Sequence, residues 1–335
     1  MTGRTSEESF GTLFEPQRRS ITIHAYRMLG SLQDAEDVAQ ETLLRAWLRR
    51  DEVRSTSAMR AWLYKIATNA CLDHLRKVRR RRMLPHLIAP STSTAIPLGP
   101  PSAERLWVEP APDTLLDVED DIGQRPDARA SLRESIRLAF ITALQFLSPK
   151  QRAALLLVDV LGWSPQETAS LLETSVLSVN SLLQRARKSI EARTEDSAPA
   201  EVLGSDAALL QRFITTWESG NVDAFTALLA DDAILSMPPQ PEWFAGREAI
   251  GRFFSTVWSE VPGHRLLVPL RANGGPAAAL YRRPMAPNAV FEAAGIILLA
   301  IRAGRVSQMT RFAFPKLFPL FGLPSHLPSG RIDSE

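Results

Sequence analysis

A reversal of charge near residue 82 divides this 335-residue sequence. Residues 60–82 contain eight Lys or Arg residues and one acidic residue, whereas residues 83–130 contain three bases, eight acids and eight of the 24 prolines. An acidic, proline-rich segment without hydrophobic periodicity is typical of a flexible linker and not of a folded core. We therefore expect separate modules on either side of an acidic linker over residues 83–130.

The overall composition excludes several classes of protein. The net charge of +2 averages opposed local blocks, so near-neutrality does not exclude nucleic-acid binding. The single cysteine, Cys71, excludes a disulfide scaffold and a multi-cysteine zinc site, and it fits a reducing compartment. Neither a signal-peptide core nor an apolar run of about 18 residues occurs, so we expect a cytoplasmic protein without a membrane span. We expect no metal and no cofactor.

The first module is predicted to be helical over residues 34–50. This stretch has no Gly or Pro and is rich in strong helix formers. Its apolar residues recur at helical spacing, and the acidic Asp34, Asp37 and Glu41 fall together on another face. That face suits either an ordinary solvated surface or an acidic docking surface for a basic partner.

A second helix is predicted over residues 58–80. The face opposite its apolar stripe carries Trp62, Lys65, Asn69 and Arg76. Because aromatic rings stack on unpaired bases and cations neutralise phosphates, this face suits single-stranded or melting nucleic acid. The run KVRRRR at 77–82 adds a phosphate-seeking patch, although a generic basic linker has the same composition.

The second module has the pattern of a helix-turn-helix. Helices are predicted at 133–147, at 149–162, from 165 and from 176. Ser164 and Glu167 give a capping signal at the start of the third. The outward face of the last helix carries Ser178, Ser181, Arg185 and Lys188. Small hydroxyl residues with cations suit a helix that enters the major groove, although a plain helical hairpin with a basic face also fits.

These motifs, in this order, carry a family resemblance. The stretches DAEDVAQETLLRAW, RAWLYKIATNACLDHLRKVRRR and LSPKQRAALLLVDVLGWSPQETASLLETSVLSVNSLLQRARKSI resemble bacterial sigma-70 family factors of the extracytoplasmic-function (ECF) group. The resemblance covers roughly residues 10–195. It implies a DNA-binding protein that recruits core RNA polymerase to promoters and starts transcription.

The resemblance also implies a role for each exposed face. Docking on the clamp helices of the polymerase β′ subunit is carried over to Asp34, Asp37, Gln40 and Glu41. Recognition of the −10 element is carried over to Trp62, Lys65 and Asn69, with Arg76, Arg79 and Arg80 on phosphates. Recognition of the −35 element and contact with the β flap are carried over to Ser178, Ser181, Arg185 and Lys188. An anti-sigma partner is left open.

One position departs from the family pattern. Many members have Gly in the turn of the helix-turn-helix, where this chain has Glu173. A positive φ at Glu173 would cost conformational energy, so the geometry of this turn is a point for the structure to test.

The carboxy-terminal region reads as helices followed by an antiparallel sheet, which is α+β architecture. It resembles the SnoaL-like, polyketide-cyclase-type cone, whose apolar pocket holds a small molecule in relatives. The candidate pocket residues are Trp243, His264, Tyr281 and Arg311. Asp231 and Asp232 suit either catalytic carboxylates or turn chemistry. We expect a regulatory domain without catalytic residues, and the identity of any small-molecule ligand is left open.

The predicted protein is multidomain, with two all-α sigma modules followed by an α+β SnoaL-like cone. Its domains are 10–82 (sigma region 2), 83–130 (linker), 131–195 (sigma region 4) and 204–325 (SnoaL-like). The alternatives are a bifunctional protein whose last domain is a small-molecule cyclase, isomerase or hydrolase, and a plain helix-turn-helix transcriptional regulator.

Overall fold

The structure, a computed structural model, consists of two compact units. The helical unit comprises Met1–Arg82 and Thr114–Ser197, and the carboxy-terminal unit comprises Met83–Asp113 and Ala198–Glu335. The structure describes residues 4–50, 56–77, 82–83, 90–91, 98, 106–116, 138–194, 203–287 and 289–328. The predicted site residues Arg79 and Arg80, and the predicted helical residues 133–137, lie outside these ranges.

Three helices form the first half of the helical unit. They are α1 (Arg4–Leu29), α2 (Leu32–Leu48) and α3 (Thr56–Lys77). The Ser31 side chain accepts a hydrogen bond from the Asp34 backbone N–H and caps α2. The predicted apolar stripes are confirmed, because Leu43 of α2 and Leu63 of α3 are buried in one shared cluster.

Four longer segments follow after a single helical turn. The elements are α4 (Asp113–Leu116), α5 (Leu138–Leu144), α6 (Pro149–Leu155), α7 (Pro165–Leu171) and α8 (Val176–Thr194). Ser148 and Ser164 each form a complete capping box, as the sequence predicts for Ser164. The helix predicted at 149–162 changes at Leu156 into a π-helical turn, Leu156–Val160, whose wider winding ends with Leu161 N–H donating to Leu156 O.

The turn of the helix-turn-helix has the conformation for which glycine is preferred. Glu173 adopts a φ of 50°, in the left-handed region. The next residue, Thr174, donates its N–H to Ala169 O at 3.0 Å, which closes the end of α7. The geometry is therefore ordinary for the motif, and Glu173 carries its conformational cost.

Buried polar contacts join the two halves of the helical unit. Arg152 of α6 is buried and donates to the Met28 carbonyl of α1 and, at 2.8 Å, to Oε1 of Gln145, the residue after α5. The Tyr64 ring of α3 meets the Trp163 ring edge-on at a centroid distance of 6.2 Å. The two predicted sigma modules are thus packed on each other in one unit.

The carboxy-terminal unit has helices first and strands after. Its short leading strands are β1 (Arg82–Met83, which begins at the unit boundary) and β2 (Leu106–Trp107). Its helices are α9 (Leu203–Ser219), α10 (Val222–Thr226) and α11 (Arg247–Glu260). The remaining strands are β3 (Leu229–Ser236), β4 (Trp243–Ala245), β5 (His264–Ala272), β6 (Gly275–Arg283), β7 (Phe291–Arg302), β8 (Arg305–Phe312) and β9 (His326–Leu327).

The main sheet has the strand order β4-β3-β8-β7-β6-β5, with β9 beside β7. The α+β architecture is as predicted, but the sheet is not wholly antiparallel, because β3 and β8 run parallel. β8 is the last strand of the antiparallel β5–β8 meander, and it lies beside β3 in the same direction. The predicted hairpin turn between β7 and β8 is confirmed, since Ala303 and Gly304 both have positive φ, at 51° and 70°.

One face of this sheet packs on the helices, and we call it the inner face. Aromatic side chains of the helices form its core, with Trp217 and Phe254 ring centroids 4.9 Å apart and Phe225 and Phe254 centroids 5.0 Å apart. Alternate strand residues such as Leu280 and Met309 join that cluster. The opposite, outer face contacts a carboxy-terminal 3₁₀ helix, Pro315–Phe321.

Part of the predicted linker departs from the expected flexible, coreless state. Trp107, Val108 and Ala111 are buried in the carboxy-terminal unit. Ala111 donates its N–H to Asn273 Oδ1 at 2.9 Å and accepts from the Asn273 N–H at 3.0 Å, in the β5–β6 turn. The prediction is therefore wrong for residues 106–113. Composition shows that a segment lacks a core of its own, but it does not show that another domain supplies one.

Candidate functional site

The acidic face of α2 is exposed, as predicted, at three of its four residues. Asp37, Gln40 and Glu41 point into solvent. Asp34 differs, because its side chain is only 23% exposed and its Oδ2 lies 3.6 Å from His74 Nε2 on α3. Asp34 thus contacts the neighbouring helix, while the other three residues are accessible to a partner.

Two exposed leucines extend this face, and they were not among the residues predicted from the sequence. Leu44 and Leu48 are 58% and 71% exposed. They follow Asp37 and Glu41 at helical spacing, so they lie in the same row on α2. Large apolar side chains that project from a surface helix in a row are typical of an interaction surface. The signal in the sequence was a second apolar row, out of phase with the core stripe. We call Asp37, Gln40, Glu41, Leu44 and Leu48 the α2 row.

The predicted nucleic-acid face of α3 is partly accessible. Lys65 and Arg76 are exposed, while Trp62 and Asn69 are half-buried. Trp62 packs against the cluster that fills the first half of the unit, and Arg76 forms an ion pair with Asp73 at 2.7 Å. Lys65 therefore presents a charge directly, whereas Trp62 is only partly accessible.

A cleft of about 440 Å³ opens beside Trp62 and Lys65. Its walls come from both halves of the helical unit: Arg60, Ala61, Trp62 and Lys65 from α3, and Trp163, Glu167, Ser170 and Leu171 from the second half. The α3 face and the helix-turn-helix therefore face each other across this cleft.

The outward face of α8 is exposed at every predicted residue, which are Ser178, Ser181, Arg185 and Lys188. Arg187, on a different face, makes a bidentate ion pair with Asp159 at 2.6 and 2.9 Å, which fixes α8 to the π-helical turn. Gln184 and Asn180, which were not among the predicted residues, are also exposed. Gln184 borders the predicted residues, whereas Asn180 lies seven residues before Arg187 and shares its side of the helix. Both amides have the donor and acceptor needed to read an adenine edge.

The four predicted pocket residues do not come together. Tyr281 lies on the outer face, where its hydroxyl donates to Pro324 O at 2.8 Å. Trp243 is buried next to Phe244, and because Phe244 points into the inner core, Trp243 points to the outer side. His264 is exposed at the start of β5. Only Arg311 lies on the inner face, two residues after Met309. The prediction of one pocket lined by all four residues is therefore wrong.

The two candidate carboxylates of β3 serve as surface ion pairs. Asp231 pairs with Arg247 at 2.7 Å and Asp232 with Arg302 at 2.5 Å. Hydrogen bonding to Arg302 lowers the pKa of Asp232, which keeps it ionised. Neither side chain is enclosed, because they are 87% and 66% exposed.

Metal and thiol chemistry find little support in the described ranges. Within them, no group of three or more His, Cys, Asp or Glu residues is placed to hold a metal ion. Cys71 is buried, and burial raises the pKa of its thiol, which makes it a poor nucleophile. None of the helices that the structure describes is both long and apolar enough to cross a membrane.

Three family models match the chain in the order that the sequence indicated. Sigma-70 region 2 matches residues 13–81, Sigma-70, region 4 matches residues 137–190, and the SnoaL-like domain matches residues 210–309. The first two fall in the helical unit and the third falls in the carboxy-terminal unit.

Curated and solved relatives agree with this organisation. The ECF RNA polymerase sigma factor SigG of Mycobacterium tuberculosis (strain H37Rv) is 42% identical over 330 residues, which cover 95% of this chain and 85% of SigG. SigJ of the same organism is 32% identical over 226 residues, covering 65% of this chain and 62% of SigJ. The crystal structure of M. tuberculosis SigJ has the same fold, with a TM-score of 0.59 at 23% identity over 93% of this chain and 98% of that one. The chain therefore belongs to the ECF RNA polymerase sigma factors, with a SnoaL-like domain after its two sigma-70 regions.

Proposed function

We propose that three exposed helix faces divide the work of this sigma factor. The α2 row docks on the β′ clamp helices of core RNA polymerase. The α3 face, with Trp62, Lys65 and Asn69, binds the −10 element as it melts. The α8 face binds the −35 element and contacts the β flap. The observation that carries this proposal is the α2 row, because a mixed acidic and apolar surface on one helix needs a protein partner.

The chemistry of the α2 row specifies its partner. The exposed carboxylate of Asp37 favours a basic side chain opposite, whereas Glu41 already pairs with Arg45 at 2.6 Å. Leu44 and Leu48 favour an apolar strip beside them. A DNA duplex, with phosphates on its surface, would repel such a face. A helical protein surface with basic and apolar rows meets both requirements.

The two DNA faces differ in what they contribute. On α3, the partly accessible Trp62 ring and Lys65 suit an unpaired base and its phosphate. On α8, exposed hydroxyls, amides and cations suit major-groove edges of a duplex. Melting near α3 and duplex binding at α8 are the two functions that a promoter-directed factor needs.

The SnoaL-like domain modulates this activity through the linker between the two sigma regions. Asp113 accepts from Gly274 N–H at 2.7 Å and pairs with Arg271 at 3.1 Å, both in the β5–β6 hairpin. Ser91 N–H donates to Trp243 O at 2.8 Å, and Leu98 packs on the inner core. A domain that holds the linker at several points limits how far the two sigma regions can separate.

We further propose that the protein performs no turnover and acts in the cytoplasm, where core polymerase and promoters are found. Its relatives are named as sigma factors and not as enzymes. Surface ion pairs occupy Asp231 and Asp232, and His264 is exposed, which disfavours a cyclase, isomerase or hydrolase site. A plain helix-turn-helix regulator would leave the α2 row without a purpose.

Truncation of the two exposed leucines tests the docking surface. Because Leu44 and Leu48 are exposed in the free protein, Leu44→Ala with Leu48→Ala should leave folding intact. It should reduce run-off transcription with core polymerase across genomic promoters by about tenfold or more, since each buried leucine contributes about 1.5–3 kcal/mol.

Glu36→Ala is the matched control, because Glu36 is exposed on the same helix but lies about 80–120° around it from Leu44 and Leu48. It should keep near-normal transcription. Full initiation by the double-leucine variant would refute the docking proposal. Promoter binding without any association with core polymerase would support the plain regulator.

A further inference from the structure

Three arginines gather on the inner face of the carboxy-terminal sheet. Arg265 of β5 and Arg282 of β6 are direct cross-strand partners. Arg282 follows Leu280 by two residues, and Arg311 of β8 follows Met309 by two residues. Leu280 and Met309 both belong to the inner core, so strand alternation directs Arg282 and Arg311 to the same side.

Arg311 is enclosed although part of its surface remains exposed. Its Nη2 donates to Ala294 O at 2.9 Å, while its Nε is buried and has no hydrogen-bond partner among the described residues. Burial first, and the charge of Arg282 second, lower the pKa of Arg311 to about 10. The group remains charged at neutral pH, but its charge is poorly compensated.

Local backbone geometry brings β7 and β8 together at this point. The register between β6 and β7 shifts after Leu280, which marks a bulge on β7 at Ala294. Gly295 has a φ of 151°, and a Cβ there would lie 2.6 Å from Phe312 O. Only glycine permits this approach, which places the Ala294 carbonyl within reach of Arg311.

The other two arginines are also short of counter-charges. Arg265 donates to Val261 O at 3.2 Å and lies 5.6 Å from the Trp258 ring centroid. Burial and the charge of Arg282 lower the pKa of Arg265 as well. The backbone of Arg282 pairs with β5 and β7, but within the described ranges its guanidinium group forms no hydrogen bond or ion pair.

Other arginines of the unit are satisfied differently. Arg247, Arg271 and Arg302 each pair with an aspartate within 3.1 Å. Among the residues that the structure describes, no carboxylate lies within 4 Å of Arg265, Arg282 or Arg311. Glu292 of β7 is the cross-strand partner of Arg282, although no ion pair joins their side chains. Three neighbouring cations without an ion pair destabilise a fold, and such arrangements are typical of binding sites.

We propose that Arg265, Arg282 and Arg311 form a binding site for the carboxylate of a small, apolar organic acid. The planar guanidinium group matches a carboxylate in a bidentate geometry. The apolar body of the acid would lie against the aromatic side of the inner core, where Trp258 is half-buried and its ring centroid lies 5.2 Å from that of Phe254. An inorganic anion has no apolar part that could contact the aromatic side of the site.

The charge cluster predicts an effect on stability that needs no ligand. Replacing Arg282 by Met should raise the melting temperature of the full-length protein, because it removes repulsion and breaks no bond. Arg283→Met is the matched control. Arg283 is the next residue along the strand, but its guanidinium stacks on Phe291 at 5.0 Å on the outer side, so its loss should not raise the melting temperature. A fall in melting temperature for Arg282→Met would overturn the proposal.

Calorimetry on the full-length protein tests the ligand class. The probes are 2-naphthoate, its neutral isostere 2-naphthamide, and inorganic phosphate. We expect 2-naphthoate to bind about tenfold or more tightly than the amide, as expected for a charge-assisted bidentate pair. Arg282→Met should abolish that preference, and Arg283→Met should preserve it.

Equal binding of the acid and the amide, or no binding of the acid at millimolar concentration, would overturn the site. Displacement of the acid by equimolar phosphate would overturn the organic-acid class. Both experiments measure the protein alone, so their failure is distinct from a failure of the polymerase-docking proposal.

Discussion

Glu173 shows how a single residue can carry a conformational cost for a motif. It is exposed, so its side chain gains little from packing, yet its backbone stands at a φ of 50°. A non-glycine residue in this region costs about 1–2 kcal/mol, whereas glycine adopts it freely. The turn between α7 and α8 is therefore formed at the expense of stability.

Replacing Glu173 by Gly should stabilise the helical unit. The relief of strain exceeds the extra entropy of glycine in the unfolded chain, so we expect a net gain of about 0.5–1 kcal/mol in the free energy of unfolding. Denaturant titration followed by helical circular dichroism would measure it. Thr174→Gly, at an adjacent residue without a positive φ, should instead lose about 0.5–1 kcal/mol. A loss at Glu173 as large as that at Thr174 would contradict this account.

The residue scale also shows what the sequence could and could not predict. Residue type and helical period correctly placed Ser178 and Arg185 on the outward face of α8. The pocket residues of the SnoaL-like domain could not be predicted in this way, because the neighbours Tyr281 and Arg282 point to opposite faces of one strand. Without knowledge of which strand residues face inward, Tyr281 was selected as a pocket residue and Arg282 was not.

At the scale of elements, the linker segment around Ala111 behaves as an added edge of the β5–β6 hairpin. Pro112 forms an isolated antiparallel bridge with Ala272, and Asn273 binds Ala111 on both its backbone and its side chain. The starts of α6 and α7, at Pro149 and Pro165, followed from their caps in the sequence. The contacts between the linker segment and the β5–β6 hairpin could not be predicted, because the contacting residues are 158–162 positions apart. No local sequence pattern indicates a contact over that distance.

Substitution of Asn273 should loosen the linker. Asn273 adopts a φ of 50°, so Asn273→Gly keeps the turn but removes the side-chain acceptor of the Ala111 N–H. We expect protease cleavage within residues 83–113 of the full-length protein to rise several-fold, in line with a lost hydrogen bond of about 1 kcal/mol. Asn273→Asp retains an acceptor oxygen at the same position and should stay close to wild type. Unchanged cleavage in the glycine variant would show that other contacts suffice.

At the scale of the whole helical unit, the packing of the two sigma regions limits access to the α3 face. The cleft beside Trp62 is bounded on its other side by Trp163 and Glu167. A strand of DNA that enters it meets the Glu167 carboxylate as well as Lys65. Hydrogen bonding to Ser164 lowers the pKa of Glu167, so this carboxylate stays ionised at neutral pH. Separation of the two regions would move Glu167 away from Lys65 and remove the repulsion.

A reversible cross-link tests whether that separation is needed. Cysteines introduced by Ala61→Cys and Ser170→Cys would stand on opposite walls of the cleft. Joined by a cleavable thiol-specific cross-linker, they should block binding of a single-stranded −10 oligonucleotide in the presence of core polymerase. A reductant should restore it. The native thiol does not interfere, because Cys71 is buried with a raised pKa. Each single-cysteine variant serves as a control, and undiminished binding by the cross-linked protein would refute the need for opening.

The contact between the linker segment and the β5–β6 hairpin forms late in synthesis, because the hairpin is made long after the linker. The Ala111 N–H waits for an acceptor on Asn273 that lies 162 residues later in the chain. At ribosomal rates of about 5–20 residues per second, that wait is on the order of 10–30 s. During this interval both sigma regions can emerge while the β5–β6 hairpin does not yet hold the segment around Ala111. A chain that stops early, before the β5–β6 hairpin, would leave the ribosome as a factor without its restraint.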